Sequence, residues 1–156
     1  IDASLRELGL TLPGEDELEE TAAEFFRRFL SPTDGFPLVQ SLYEEGSYSG
    51  EACRSVAAVA RAAGLEFDRE DAHGAAADHL GCQLILWSRI VVRDDRAAAE
   101  FAQRHLAWAP PVLRRCADAP GTGGSFYASL ASSTADFITL LLGSARDPAR
   151  SPISGR

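Results

Sequence analysis

DAHGAAADHLGCQLILWSRIVV, residues Asp71 to Val92, divides into a polar entrance and an apolar body. From Leu80 to Val92 the side chains are apolar nearly all the way round a helix, interrupted by Gly81, Gln83, Ser88 and Arg89. A helix without a wet face belongs in the middle of a domain. Its expected first turn, Ala75 to His79, carries Asp78 and His79 side by side. The segment therefore predicts a central helix whose polar start opens onto a groove.

Working outward, helical periodicity accounts for most of the chain. Ile1 to Leu10 reads as the end of a helix closed by Gly9, and the absence of any Met implies that Ile1 is not the nascent start. Glu15 to Leu30 is predicted as an amphipathic helix, with Leu18, Ala22, Phe25, Phe26 and Phe29 as its apolar face and Arg27 and Arg28 in the last turn. SPTDGFPLVQSLYEEGSY, 31–48, holds two prolines and two glycines and reads as a long connection. A helix from about Gly50 to Ala63 follows, with Ala52, Val56, Val59, Ala60 and Ala63 on one face and Gly64 as its stop.

Beyond the acidic linker EFDRED and the central helix, Asp94 or Asp95 caps a helix bearing Ala98, Phe101, Ala102 and His105. Pro110 and Pro111 suit the first turn of a short helix through Cys116. After APGTGG, a last helix spans Ser125 to Leu142, with Phe126, Leu130, Thr134, Phe137, Ile138 and Leu141 as its stripe. No segment reads as a strand. The prediction is an all-α, single-domain helical bundle over 1–142, its N-terminal helix incomplete, with a flexible tail at 143–156.

Composition narrows the function. A chain of 156 residues is long enough for one buried core. The net charge of −8 lacks the basic footprint of a nucleic-acid binder. No apolar run is expected to reach the roughly 18 residues of a membrane span, so membrane insertion is not expected. Cys53, Cys82 and Cys116 have no CxxC spacing and read as small buried thiols. His73 and His79, six residues apart, fall on different helix faces, and HExxH, GxSxG, Walker and GxGxxG patterns are missing. We therefore expect no catalytic residue, no metal site and no cofactor. Asp78 is read as meeting free backbone N–H groups at a helix start, and His79 as a half-buried, paired histidine.

Six stretches in order, FRRFLSP, PLVQSLYEEGSYSGE, VARAAGLEF, ADHLGCQLILW, FAQRHLAWAPPVL and FYASLASSTADFI, resemble the TorD/DmsD/NarJ-type family of redox-enzyme maturation chaperones. The resemblance covers Leu18 to Leu142. It departs at the family's Glu-Pro-x-Asp-His motif, where Ala75 and Ala76 replace Glu and Pro while Asp78 and His79 match. The resemblance implies an all-helical cytoplasmic protein that binds the apo-form of a molybdenum oxidoreductase, or its twin-arginine signal peptide, until cofactor insertion is complete.

Paired guanidinium groups followed by an apolar stretch call for carboxylates beside an oily groove. Glu44, Glu45 and Asp78 are candidates for the first, and Leu42, Tyr43, Trp108 and Phe126 for the second, with His79, His105 and Tyr127 beside them. The oligomeric state stays open, a homodimer included. Two other functions compete: a helical interaction or regulatory domain with another client, and a small metal-dependent hydrolase using Asp78, His79 and His105.

Overall fold

A computed structural model of the chain describes residues 2–7, 9–65, 75–119 and 125–144, with side chains from Leu5 onward. The EFDRED linker, His73, the GTGG of 121–124 and the tail from 145 onward lie outside them. The described residues form eight α-helices: α1 Asp2–Glu7, α2 Leu18–Phe25, α3 Gln40–Glu45, α4 Glu51–Ala62, α5 Leu80–Val91, α6 Asp95–His105, α7 Ala109–Ala117 and α8 Phe126–Ser144. No strand occurs among them, only an isolated antiparallel bridge between Val39 and His79. The all-α class expected from periodicity is the class observed.

Several boundaries lie where local chemistry puts them. Gly64 takes φ +66°, and the Leu65 N–H reaches back to the Ala60 carbonyl at 2.9 Å, closing α4 in a left-handed turn that glycine adopts without strain. Asp94 accepts the Ala97 N–H at 2.9 Å and starts α6. Ser125 does the same for α8 through the Ala128 N–H at 3.2 Å.

The described residues fall into two compact units, one drawn from 1–38 and 110–137, the other from 39–109 and 138–144. In the second unit Val56, Ala60, Leu86, Ile90, Ala98 and Phe101 form one apolar cluster across α4, α5 and α6. The predicted faces of α4 and α6 are the ones that pack: Ala52, Val56 and Ala60 are buried on α4, and Ala98, Phe101, Ala102 and His105 on α6.

The first unit departs from its predicted pattern. A 3₁₀ turn, Glu15–Glu17, leads into α2, which runs on as a π-helical turn over Phe26–Leu30. The span agrees with expectation, but of the predicted apolar face only Phe29 is half-buried, against Tyr127, and the rest is exposed. Leu18, Phe26 and Leu30 are each 57 % exposed and Phe25 41 %, while Glu24 and Arg28 are buried at 6 % and 3 %. The cause is a charged node. Arg28 Nε donates to Glu24 Oε1 at 2.5 Å, Nη2 donates to Ser125 Oγ at 3.2 Å, and Nη1 donates to the Cys116 carbonyl. Ser125 Oγ in turn donates to Glu24 Oε1. A buried guanidinium and carboxylate with so many partners fix the rotation of the helix that carries them.

Further expectations are corrected. Within 31–48, α3 forms a helix of six residues that the Pro and Gly content concealed. The central helix begins at Leu80, not Ala75, and it has a wet face after all: Gly81, Ile85, Ser88 and Arg89 are exposed, Ile85 at 56 %. On α8 the buried positions are Ala128, Ala131, Ala135 and Ile138, whereas Phe137 is exposed, because the small residues permit the closest packing. That helix ends at Ser144, two residues past the expected Leu142, and is 19 residues long. It is long and apolar enough to cross a membrane by length and composition alone, since its Ser and Thr are nearly neutral in hydropathy and Asp136 is its single charge. Most of the helix is not buried, and Asp136 pairs with Arg114 at 3.1 Å.

Candidate functional site

In the second unit Val39, the residue before α3, is extended and bridges to His79. This pairing brings the starts of α3 and α5 together. The Gln40 N–H donates to the Asp78 main-chain carbonyl at 3.2 Å, and Asp78 Oδ2 accepts the Ser41 N–H at 2.8 Å. Asp78 is fully buried. It thus caps α3, whose own preceding residue, Val39, has no side chain able to do so. Asp78 Oδ1 and Ser41 Oγ have no hydrogen-bond partner among the described residues.

His79 caps the next helix, its Nδ1 accepting the Gly81 N–H at 3.2 Å. That role needs a neutral ring, and burial pushes the His79 pKa down despite the nearby Asp78 charge. The expected division of labour is therefore right in kind, with one change. Asp78 serves a helix 37 residues earlier in the chain instead of its own.

Below α3 lies a neutral polar network. Gln83 Nε2 donates to Gln40 Oε1 at 2.7 Å, and the same oxygen lies 3.1 Å from His105 Nδ1. Because that oxygen can only accept, Nδ1 carries the proton, and Nε2, 3.3 Å from Ser55 Oγ, is the acceptor. Trp108 Nε1 donates to Gln83 Oε1 at 3.1 Å and to the His105 carbonyl at 2.9 Å. Burial, reinforced by Arg104 and opposed by Asp78, pushes the His105 pKa down to about 4. His105 is neutral at pH 7.

Two groups bring this network to the surface. Tyr43 stacks on Trp108, with centroids 5.4 Å apart and planes at 22°. Gln40 Nε2 donates to both Glu44 carboxylate oxygens, at 3.1 and 3.0 Å, and to the Arg104 carbonyl at 3.2 Å. An aromatic face and a carboxylate thus stand one residue apart on the outer side of α3, each held from beneath. Leu42 is half-buried on the same helix.

The candidate carboxylates are not equivalent. Glu44 is at the surface, whereas Asp78 is buried. Glu45 caps α4, accepting the Glu51 N–H at 2.7 Å and the Ala52 N–H at 3.0 Å. Those two bonds hold its carboxyl below the usual range. Glu45 is fixed as a structural cap.

Of the candidate residues, Leu42, Tyr43, Glu44, Asp78, His79, His105 and Trp108 all belong to the second unit, while Phe126 and Tyr127 belong to the first. There, Tyr127 packs against Phe25 and Phe29 with ring centroids 5.6 Å away in both cases. Sequence reasoning missed Gln40 and Gln83. Gln83 stood out only as an interruption of an apolar run, which was the available signal. The imidazoles the hydrolase reading would use are already engaged, His79 with Gly81 and His105 with Gln40 and Ser55. Cys82 and Cys116 are free, buried thiols, and burial pushes both pKa values up.

A family model described as the nitrate reductase delta subunit matches residues 1–114. No curated protein and no solved structure matches the chain.

Proposed function

The chain belongs to the nitrate reductase delta subunit family, a family of molybdoenzyme maturation chaperones, and from that premise we propose that it holds an immature molybdenum oxidoreductase in the cytoplasm through the outer face of α3. The client segment is an arginine-bearing, partly apolar peptide, a twin-arginine signal peptide being the chemistry that fits. Glu44 meets the guanidinium groups, while Tyr43 and Leu42 provide apolar contact. Asp78, His79, His105 and Trp108 act from beneath, by fixing α3 and stacking on Tyr43. Phe126 and Tyr127 are kept as client contacts on residue type, as aromatic side chains suited to an apolar groove. No step of this role requires the chain itself to perform chemistry on a substrate.

The observation that carries the proposal is the extent of the family match, because 1–114 takes in α3, Asp78, His105 and Trp108 together. A second reading, the same fold serving another client, draws on Ala75 and Ala76 at the family's Glu-Pro positions. Calorimetric titration of a peptide with paired arginines and an apolar stretch, at two salt concentrations, tests the first. Glu44→Gln should weaken binding and flatten its salt dependence, since it deletes a screened Coulomb attraction. Tyr43→Ala should weaken binding without changing the salt slope. Equal affinity for the native chain and both variants, with folding intact, would remove α3 as the client site.

A further inference from the structure

The facing of α2 leaves a stripe that the fold of the first unit does not use. Leu18, Ala22, Phe26 and Leu30 follow one another at helical spacing and are all exposed, with Phe25 beside them. At 1.5 Å per residue the stripe runs about 18 Å, or some three helical turns. Single exposed apolar residues are ordinary on a protein surface, whereas a continuous stripe marks a contact. The helix cannot turn the stripe inward without pulling Glu24 and Arg28 from Ser125 and the Cys116 carbonyl.

The charge around the stripe identifies its partner. Glu15, Asp16, Glu17, Glu19 and Glu20 are all exposed at its N-terminal end, and Arg27 is the exposed cation of the same segment. None of these five acids forms an ion pair among the described residues. We propose that the outer face of α2 docks a basic, amphipathic helical segment of a partner protein. Its apolar side lies on Leu18, Phe26 and Leu30, and its cations meet the acidic turn. A second copy of this chain carries the same net charge of −8, which opposes its approach. An anionic membrane would be repelled in the same way. This proposal stands independently of the client reading, which concerns α3 in the other unit.

The test uses the full chain carrying Tyr43→Ala with Glu44→Gln, so that the outer face of α3 does not compete for the probe, and a fluorescein-labelled synthetic helix of about 14 residues, with leucines on one face and lysines on the other. A matched helix with glutamates in place of the lysines serves as control. Fluorescence anisotropy should show binding of the basic peptide only. Phe26→Ser with Leu30→Ser should weaken it by at least about tenfold. Glu19→Lys with Glu20→Lys should weaken it comparably and flatten its salt dependence. Reversing the same number of acids elsewhere, in Glu51→Lys with Glu100→Lys, should leave Kd within about twofold, which separates docking from attraction to any acidic protein. Circular dichroism and the urea midpoint check that each variant folds. An equal response to the two charge reversals, or none to Phe26→Ser with Leu30→Ser, would overturn the proposal. So would a concentration-dependent dimer in sedimentation that Phe26→Ser with Leu30→Ser dissolves, since it would assign the face to a second copy.

Discussion

The two units hold polar side chains in their interiors by different means. In the first, the buried pair is charged: Glu24 and Arg28, tied to Ser125 and Cys116, with Leu10, Val112, Leu113 and small residues as the apolar complement. In the second, the buried polar groups are mainly neutral, Gln40, Gln83 and His105 linked to Trp108, and they lie beside a larger core that contains Phe101, Leu86 and Leu106. A charge taken out of water needs a specific arrangement of partners, so it dictates which way its helix faces, even against the apolar pattern. A neutral amide network asks only for matched donors and acceptors, and the apolar stripes of α4 and α6 prevail. Hydrophobic periodicity therefore predicts the facing of α4 and α6 in the second unit, though not that of α5, and mispredicts that of α2 in the first.

The largest effect is expected from Arg28→Ala. It leaves the Glu24 carboxylate buried without its cation, and should cost about 3–5 kcal/mol in urea unfolding. Replacing the pair with apolar residues, Glu24→Leu with Arg28→Met, should recover most of the loss, because isosteric apolar substitutes for a buried pair are often neutral. A loss under about 1 kcal/mol for Arg28→Ala would mean that the node does not set the rotation of α2.

The second unit should respond to acid instead. His105 has a folded pKa of about 4 against an ordinary value of 6.5. Above pH 6.5 neither state holds the proton, and its contribution to stability is fully present. As pH falls below 6.5 the unfolded chain takes up a proton that the folded chain refuses, so stability declines until about pH 4. Between pH 7 and pH 5 the loss from this group should be about 2 kcal/mol. His79, also depressed by burial, adds to it in the same direction. Urea midpoints of the native chain and His105→Gln at the two pH values isolate the His105 share. An identical pH dependence in both would show that His105 does not titrate differently on folding.

What was legible in the sequence follows the same division. Helix ends governed by neighbouring residues were readable: Gly64 stops α4, Asp94 starts α6, and Pro110 and Pro111 open α7. The faces of α4 and α6 were readable because apolar burial alone sets them. Helix α3 was hidden because its cap comes from Asp78, 37 residues away, and no local pattern announces a cap supplied through space. Of the candidate site, Tyr43, Glu44, Asp78, His105 and Trp108 were found by residue type, while Gln40 and Gln83, which join them, look like any polar residue in a string. The site's family was readable from six short stretches in order. Its support structure was not.

That dependence of α3 on a distant carboxylate gives a smaller expected effect. Asp78→Ala should cost about 1–2 kcal/mol, the range of a lost N-cap. It should also raise hydrogen exchange in α3 well before the core helices respond, since a helix of six residues has little stability of its own. Exchange unchanged at Leu42 and Tyr43 would place the support of α3 elsewhere, for instance in the Gln40 contacts.

The smallest expected effect is the sharpest probe of the contrast, because the two readings of α2 predict opposite results for it. If the apolar face packed inward, as its spacing implied, Phe26→Ser would empty a core site and cost about 3–5 kcal/mol. In the structure Phe26 is 57 % exposed, and its neighbours Phe25 and Phe29 are the residues that contact Tyr127. Phe and Ser differ little in helix propensity. The substitution should therefore change the urea midpoint by less than the equivalent of about 0.5 kcal/mol. Phe101→Ser, the same exchange in the apolar cluster of the second unit, provides the reference and should be strongly destabilising. A large effect at Phe26 would restore the inward reading and remove the exposed stripe on which partner docking at α2 depends. Near silence at Phe26 beside a severe effect at Phe101 would establish that one unit is organised by its charged node and the other by its apolar faces.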